Sequence, residues 1–85
     1  MKVKLFYFAK VRESLGINQE EIDLVNNIKT VADLIDVLKN RGIQWQSIFE
    51  MSSSLRVAVN QELVETNHAI NANDEVAFFP PITGG

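Results

Sequence analysis

Apolar and polar residues alternate in several stretches of this chain and repeat at a helical period in another. Val3, Leu5 and Tyr7 fall on one face of an opening strand, Val3 to Phe8, and Lys2, Lys4, Phe6 and Phe8 on the other. Glu21-Ile22-Asp23-Leu24-Val25 alternates again and predicts a second strand. The intervening AKVRESLGINQE, with Gly16 and Asn18, reads as a connection with room for a helical turn. Val31, Leu34, Ile35 and Leu38 then make one apolar stripe at i, i+3, i+4 and i+7. Thr30 suits the N-cap of that helix, with Asp33 completing a capping box, and Lys39 and Arg41 suit its negative end. Gly42 is expected as the left-handed C-terminal cap. Trp45, Ile48 and Phe49 predict a second, shorter helical segment whose apolar residues belong to the core. Leu55 to Asn60 alternates as a strand, Gln61-Glu62 turns into a short piece at Leu63-Val64, and Glu75 to Phe79 is the last strand. Asn71 to Asp74 is a turn, with Asn73 suited to positive φ.

The order strand, strand, helix, strand, short strand, strand predicts an α+β fold, with the helix on one face of a mixed sheet. If the last strand lies centrally beside the first, the fold is a ubiquitin-like β-grasp, spanning residues 1–79 with an extended tail at 80–85. The helix is expected to cover Val3, Leu5, Tyr7, Val57, Val59, Val76 and Phe78. The opposite face would show Arg56 and an apolar patch of Phe6, Phe8, Ala58, Ala77 and Phe79. Exposed patches of that kind mark interfaces; the alternatives are cover by the chain's own loops, or inverted faces.

Composition narrows the chemistry. With 85 residues there is room for one domain, and 46% apolar content suits a globular chain. A net charge of −3 without any Lys/Arg run argues against nucleic-acid binding. The absence of cysteine removes disulfides, a thiol nucleophile and Cys-ligated metal. His68 is the one histidine, so no metal site is expected. Adjacent Asp74 and Glu75 point opposite ways and read as a turn and a solvated edge rather than an acid/base pair. Lys10 and Arg12 either face an acidic partner or are merely solvated. No apolar run approaches the roughly 20 residues of a membrane span, and the opening has no signal-peptide pattern. The expected compartment is the cytoplasm.

The last eight residues are FFPPITGG. One reading is a frayed end. The other makes the terminal carboxylate the working part. Pro80 and Pro81 end the strand and hold the exit extended. Ile82, the small Thr83, Gly84 and Gly85 then form a thin thread fit for a narrow active site on another protein. A carboxylate with a pKa near ~3.5 is anionic and a poor electrophile. Activation as an acyl-adenylate would let an amine make an amide, or a sulfur donor make a thiocarboxylate.

VAVNQELV (57–64), DEVAFFPPITGG (74–85) and LFYFAKVRE (5–13) together resemble the small-subunit family of molybdopterin synthase. The resemblance implies a β-grasp sulfur carrier with no tightly bound cofactor and no autonomous catalysis. Gly85 would be adenylated by an E1-like, ATP- and zinc-dependent activating enzyme and converted to a thiocarboxylate, with Gly84 giving the slim approach. Pro80, Pro81, Ile82 and Thr83 would enter the large catalytic subunit, where sulfur passes to cyclic pyranopterin monophosphate. The family implies a heterotetramer. Asn73 departs from the family's usual glycine. Carriers for thiazole synthesis or tRNA thiolation, ubiquitin-like modifiers and plain interaction modules are the competing functions.

Overall fold

The computed structural model describes residues 1–50 and 55–80. In them the chain runs β1 (Lys2–Tyr7), α1 (Ala9–Leu15), β2 (Gln19–Asp23), α2 (Val31–Lys39), α3 (Ile43–Glu50), β3 (Arg56–Val59), β4 (Glu62–Val64) and β5 (Glu75–Phe79). The sheet order is β2-β1-β5-β3-β4. β5 lies parallel to β1 and antiparallel to β3, while β1–β2 and β3–β4 are antiparallel. The last strand is therefore central beside the first, and the fold is a ubiquitin-like β-grasp.

Local chemistry accounts for most of these boundaries. Thr30 caps α2: its side chain accepts from the Asp33 N–H at 3.2 Å, and the Asp33 carboxylate accepts from the Thr30 N–H at 3.2 Å. Val31, Leu34 and Leu38 are buried, so the stripe faces the sheet as its period requires. Glu75 to Phe79 and the positive φ of Asn73, 69°, match the sequence expectation.

Four local expectations are corrected. Residues 9–15 form a helix rather than a mere connection; Phe8 gives it no side-chain cap and only Val11 is buried, so the sequence signal is weak. Its end is a proper stop, with Gly16 left-handed at φ 73° and its N–H donating to the Arg12 carbonyl. β2 lies two residues earlier than the alternation placed it, since the Leu24 N–H reaches back to the Met1 carbonyl and Val25 is 67% exposed. Gly42 is not the left-handed cap of α2. That helix closes at Asn40 with ordinary right-handed φ, and the Gly42 carbonyl instead accepts from the Gln46 N–H to start α3.

The hairpin turn is the fourth correction. It consists of Asn60 and Gln61, at φ 52° and 72°, not Gln61 and Glu62. Two successive positive φ values define the tight turn whose twist matches a hairpin. Asn60 tolerates that conformation because its side chain is used twice. Its amide donates to Asp74 and its oxygen accepts from the Glu75 N–H.

Between sheet and helices sits an aromatic cluster. Phe78 of β5 stacks on Tyr7 of β1 at 6.1 Å and meets Phe49 of α3 edge-on at 5.1 Å. Trp45 touches Tyr7 at 5.7 Å and Phe49 at 6.4 Å. Tyr7, Phe49 and Phe78 are all fully buried. Burying one such side chain stabilises by about 1.5–3 kcal/mol, and truncation adds the cost of a void. Phe49→Ala is expected to cost about 3–5 kcal/mol, read as a shift in the urea midpoint without a change in β-sheet signature by circular dichroism.

Candidate functional site

The two sheet faces differ as alternation dictates. Val3, Leu5, Tyr7, Val57, Val59, Val76 and Phe78 are buried beneath the helices. On the other face the register aligns Phe6 with Ala77, Ala77 with Ala58, and Ala58 with Leu63. These four residues form one row across four strands. Phe79 lies in the next row, opposite Arg56. The Phe8 N–H donates to the Phe78 carbonyl at 3.1 Å, which carries the β1–β5 pairing one residue beyond β1. Ala9 then takes a φ of 51°, unusual for a residue with a Cβ, and turns the chain abruptly into α1.

Phe8 is 47% exposed and Leu63 69% exposed. Phe6, Ala77, Phe79 and Pro80 are half-buried. A depression of about 220 Å³ is bounded by Phe6, Phe8, Ala77, Gln61 and Glu75. Ala58 differs from the sequence reading: it is buried, at 7% exposure, between Ala77 and Leu63 on its row. It is the floor of the patch, not part of its rim. Leu63 was missed by sequence reasoning. Placing the turn one residue late sets Leu63 opposite Asn60; the Asn60-Gln61 turn sets it opposite Ala58 and so on the apolar row.

The chain leaves β5 through Pro80 at the end of the sheet that also carries Phe8, Arg56 and the start of α1. Pro81, Ile82, Thr83, Gly84 and Gly85 lie outside the described residues. Exposed Lys10 and Arg12 stand on α1 near this exit, and among the described residues they and Arg56 enter no ion pair.

Behind the site is a polar cluster that the sequence reading did not find. The Tyr7 hydroxyl donates to Glu20 Oε2 at 2.7 Å. Arg41 donates to both Glu20 oxygens, at 2.6 and 2.9 Å, while its guanidinium lies 4.6 Å from the Trp45 ring. Edge strand, helix connection and core aromatic are thus tied by one bidentate, stacked arginine. Burial, reinforced by the Glu20 bond, pushes the Tyr7 hydroxyl well above its usual range. Partial burial pushes the Glu20 carboxyl up, but the Arg41 and Tyr7 bonds outweigh it and hold it below the usual carboxylate value.

Among the described residues no group of His, Cys, Asp and Glu is placed to hold a metal ion. Asp74 spends its oxygens on Asn60 and on the Asn71 N–H, as a turn residue does. His68 is exposed, and its carbonyl accepts from the Val31 N–H. No helix of the described residues is long and apolar enough to cross a membrane. The arrangement is a partly exposed apolar face beside a chain exit.

Comparison with known proteins places the chain in a family. Residues 5–85 match the model of the ThiS family. The Molybdopterin synthase sulfur carrier subunit of Escherichia coli (strain K12) is 39% identical over 83 residues, covering 98% of this chain and 99% of its own length. The structure of a putative molybdopterin converting factor, subunit 1, from Pyrococcus furiosus is 31% identical with a TM-score of 0.77, covering 96% of this chain and 99% of its own. A chain in the complex of subunits 1 and 2 of the molybdopterin-converting factor from Helicobacter pylori shares the fold, with a TM-score of 0.68 at 20% identity and 100% coverage of both.

The Glu20 cluster makes a pH prediction. Its depressed carboxyl contributes stability that is complete above the ordinary value of about 4.3 and is lost as pH falls through the lower folded value. The raised Tyr7 hydroxyl acts in the opposite sense, and its contribution falls as pH rises past about 10. Melting temperatures of the wild type and Glu20→Gln across pH are expected to converge at the acid end; an unchanged gap there would contradict the assignment.

Proposed function

The chain belongs to the ThiS family, and from that premise we propose that it serves as the sulfur carrier subunit of a molybdopterin synthase. The observation that carries this reading is an alignment with named carrier subunits over essentially the full chain, the family match running through Gly85. The exit at Pro80 beside an apolar face supports it.

The chemistry resides at the terminal carboxylate. An E1-like activating enzyme consumes ATP and joins the Gly85 carboxylate to AMP with release of pyrophosphate. A sulfur donor displaces AMP and leaves a thiocarboxylate. Glycine at 84 and 85 removes side-chain bulk from both steps, and the φ that proline fixes at 80 and 81 suits a segment that would pass, with Ile82 and Thr83, into the large subunit. There the sulfur is given to cyclic pyranopterin monophosphate during molybdenum cofactor synthesis. The chain supplies no acid or base. It supplies a carrier, docked through Phe6, Phe8, Ala77, Phe79 and Leu63 over the Ala58 floor. No tight cofactor is required of it, and the reading places it in the cytoplasm, in a heterotetramer of two small and two large subunits.

Intact mass spectrometry after incubation with ATP, activating enzyme and sulfur source is expected to show a gain equal to sulfur minus oxygen, confined to the C-terminal peptide. Lysine-linked adducts in its place would move the chain to the ubiquitin-like modifiers. Gly85→Ala should fold normally and lose sulfur transfer; full transfer by that variant, with its terminus shown intact, would sink the carboxylate mechanism. Phe8→Asp should leave the melting temperature nearly unchanged while weakening large-subunit binding about tenfold or more, about 1.4 kcal/mol. Undiminished binding would remove Phe8 from the interface.

A further inference from the structure

The two outer strands of the sheet are finished differently. On β2 the inward groups are fixed by the Leu24 N–H, which donates to the Met1 carbonyl, and by the Tyr7 N–H, which donates to the Asn18 carbonyl. Alternation along an antiparallel pair then turns the backbone groups of Gln19, Glu21 and Asp23 outward. Those positions are guarded by charge. Glu21 lies 3.8 Å from Lys2, and Asp23 accepts from the N-terminal ammonium at 2.9 Å.

β4 has no such guard at its outward position. The Asn60 N–H donates to the Glu75 carbonyl, so on β3 the groups of Ala58 face β5 and those of Val57 and Val59 face β4. Their partners Val64 and Glu62 are thereby satisfied. Leu63, opposite Ala58, points its N–H and C=O away from the sheet, and its amide donates to nothing among the described residues. Its side chain is 69% exposed and extends the apolar row of Phe6, Ala77 and Ala58. Beside it lies a depression of about 510 Å³ lined by Leu55, Arg56, Leu63, Val64, Glu65 and Thr66.

We infer that β4 accepts an extended segment of the large subunit as a sixth strand, paired through the Leu63 N–H and C=O. The inference rests on the sulfur-carrier reading and specifies how that partner docks. The register fixes the chemistry of the incoming strand. Its residue opposite Leu63 joins the apolar row and is itself apolar, while the side chain two residues along, on the same face, reaches the depression between Arg56 and Glu65. Main-chain pairing supplies affinity, and the row and depression supply selectivity. The edge is continuous with the apolar face, so one partner covers both while the tail is inserted.

The test is amide hydrogen exchange by NMR on the full chain, free and saturated with the large subunit. In the free chain the Leu63 amide should exchange faster than those of Glu62 and Val64. In the complex it should slow by about tenfold or more. Leu63→Pro removes the outward N–H without touching the β3–β4 ladder, and is expected to weaken binding beyond Leu63→Ala, which removes only the side chain. Unchanged Leu63 exchange in a saturated, sulfur-transferring complex, or equal losses in folded alanine and proline variants, would overturn the edge pairing and leave the carrier reading intact. Leu63 protection that rises with the concentration of the free chain would assign the edge to a second copy and overturn the inference. Failure of the two subunits to bind at all would overturn both readings.

Discussion

The parallel pairing of β5 with β1 is the contact on which the rest of this molecule depends. It sets a strand from residues 75–79 against one from residues 2–7, and β5 then pairs with β3 on its other side. Removing β5 would separate the β2–β1 hairpin from the β3–β4 hairpin. Phe78 projects from this strand into the aromatic cluster, and Ala77 and Phe79 project to the opposite face. One five-residue strand therefore anchors the core, floors the apolar face and launches the tail. The residues that follow Pro80 gain a fixed origin by starting from the middle of a sheet.

The two faces divide the work between stability and recognition. Helices α2 and α3 cover one, burying its aliphatic and aromatic residues completely. The other retains half-buried aromatics because no helix lies over it. Ala77 and Ala58 matter by being small. They keep the centre of the face flat, so that Phe6, Phe79 and Leu63 stand around a shallow floor.

Much of this was legible in the letters. Alternation at Val3, Leu5 and Tyr7 and again at Glu75 to Phe79 assigned both faces, since a period of two leaves no other arrangement once one face is buried. The Thr30–Asp33 capping box and the αL turn at Asn73 were readable from side-chain chemistry alone. The failures share a cause. α1 lacks a capping side chain and buries only Val11, so nothing in its own sequence announces a helix. The Asn60-Gln61 turn lacks the glycine that ordinarily marks such a turn, because Asp74 and Glu75, distant in sequence, hold Asn60 in place. The Tyr7–Glu20–Arg41 cluster joins residues 13 and 21 positions apart, and no local pattern specifies such a meeting. At the site itself, sequence supplied the aromatic patch and the tail by alternation and resemblance, but Leu63 required the true register.

The central place of β5 also governs when the molecule takes shape. A sheet whose middle strand comes from residues 75–79 cannot close while the ribosome still holds that segment, and pairings of such long sequence separation form late. The two hairpins wait for the strand that joins them. Under these conditions the tail is offered on a rigid base only once the whole sheet has formed. A partially synthesised or misfolded chain lacks the apolar face and the fixed exit together, so both become available only as one event, the closing of the sheet.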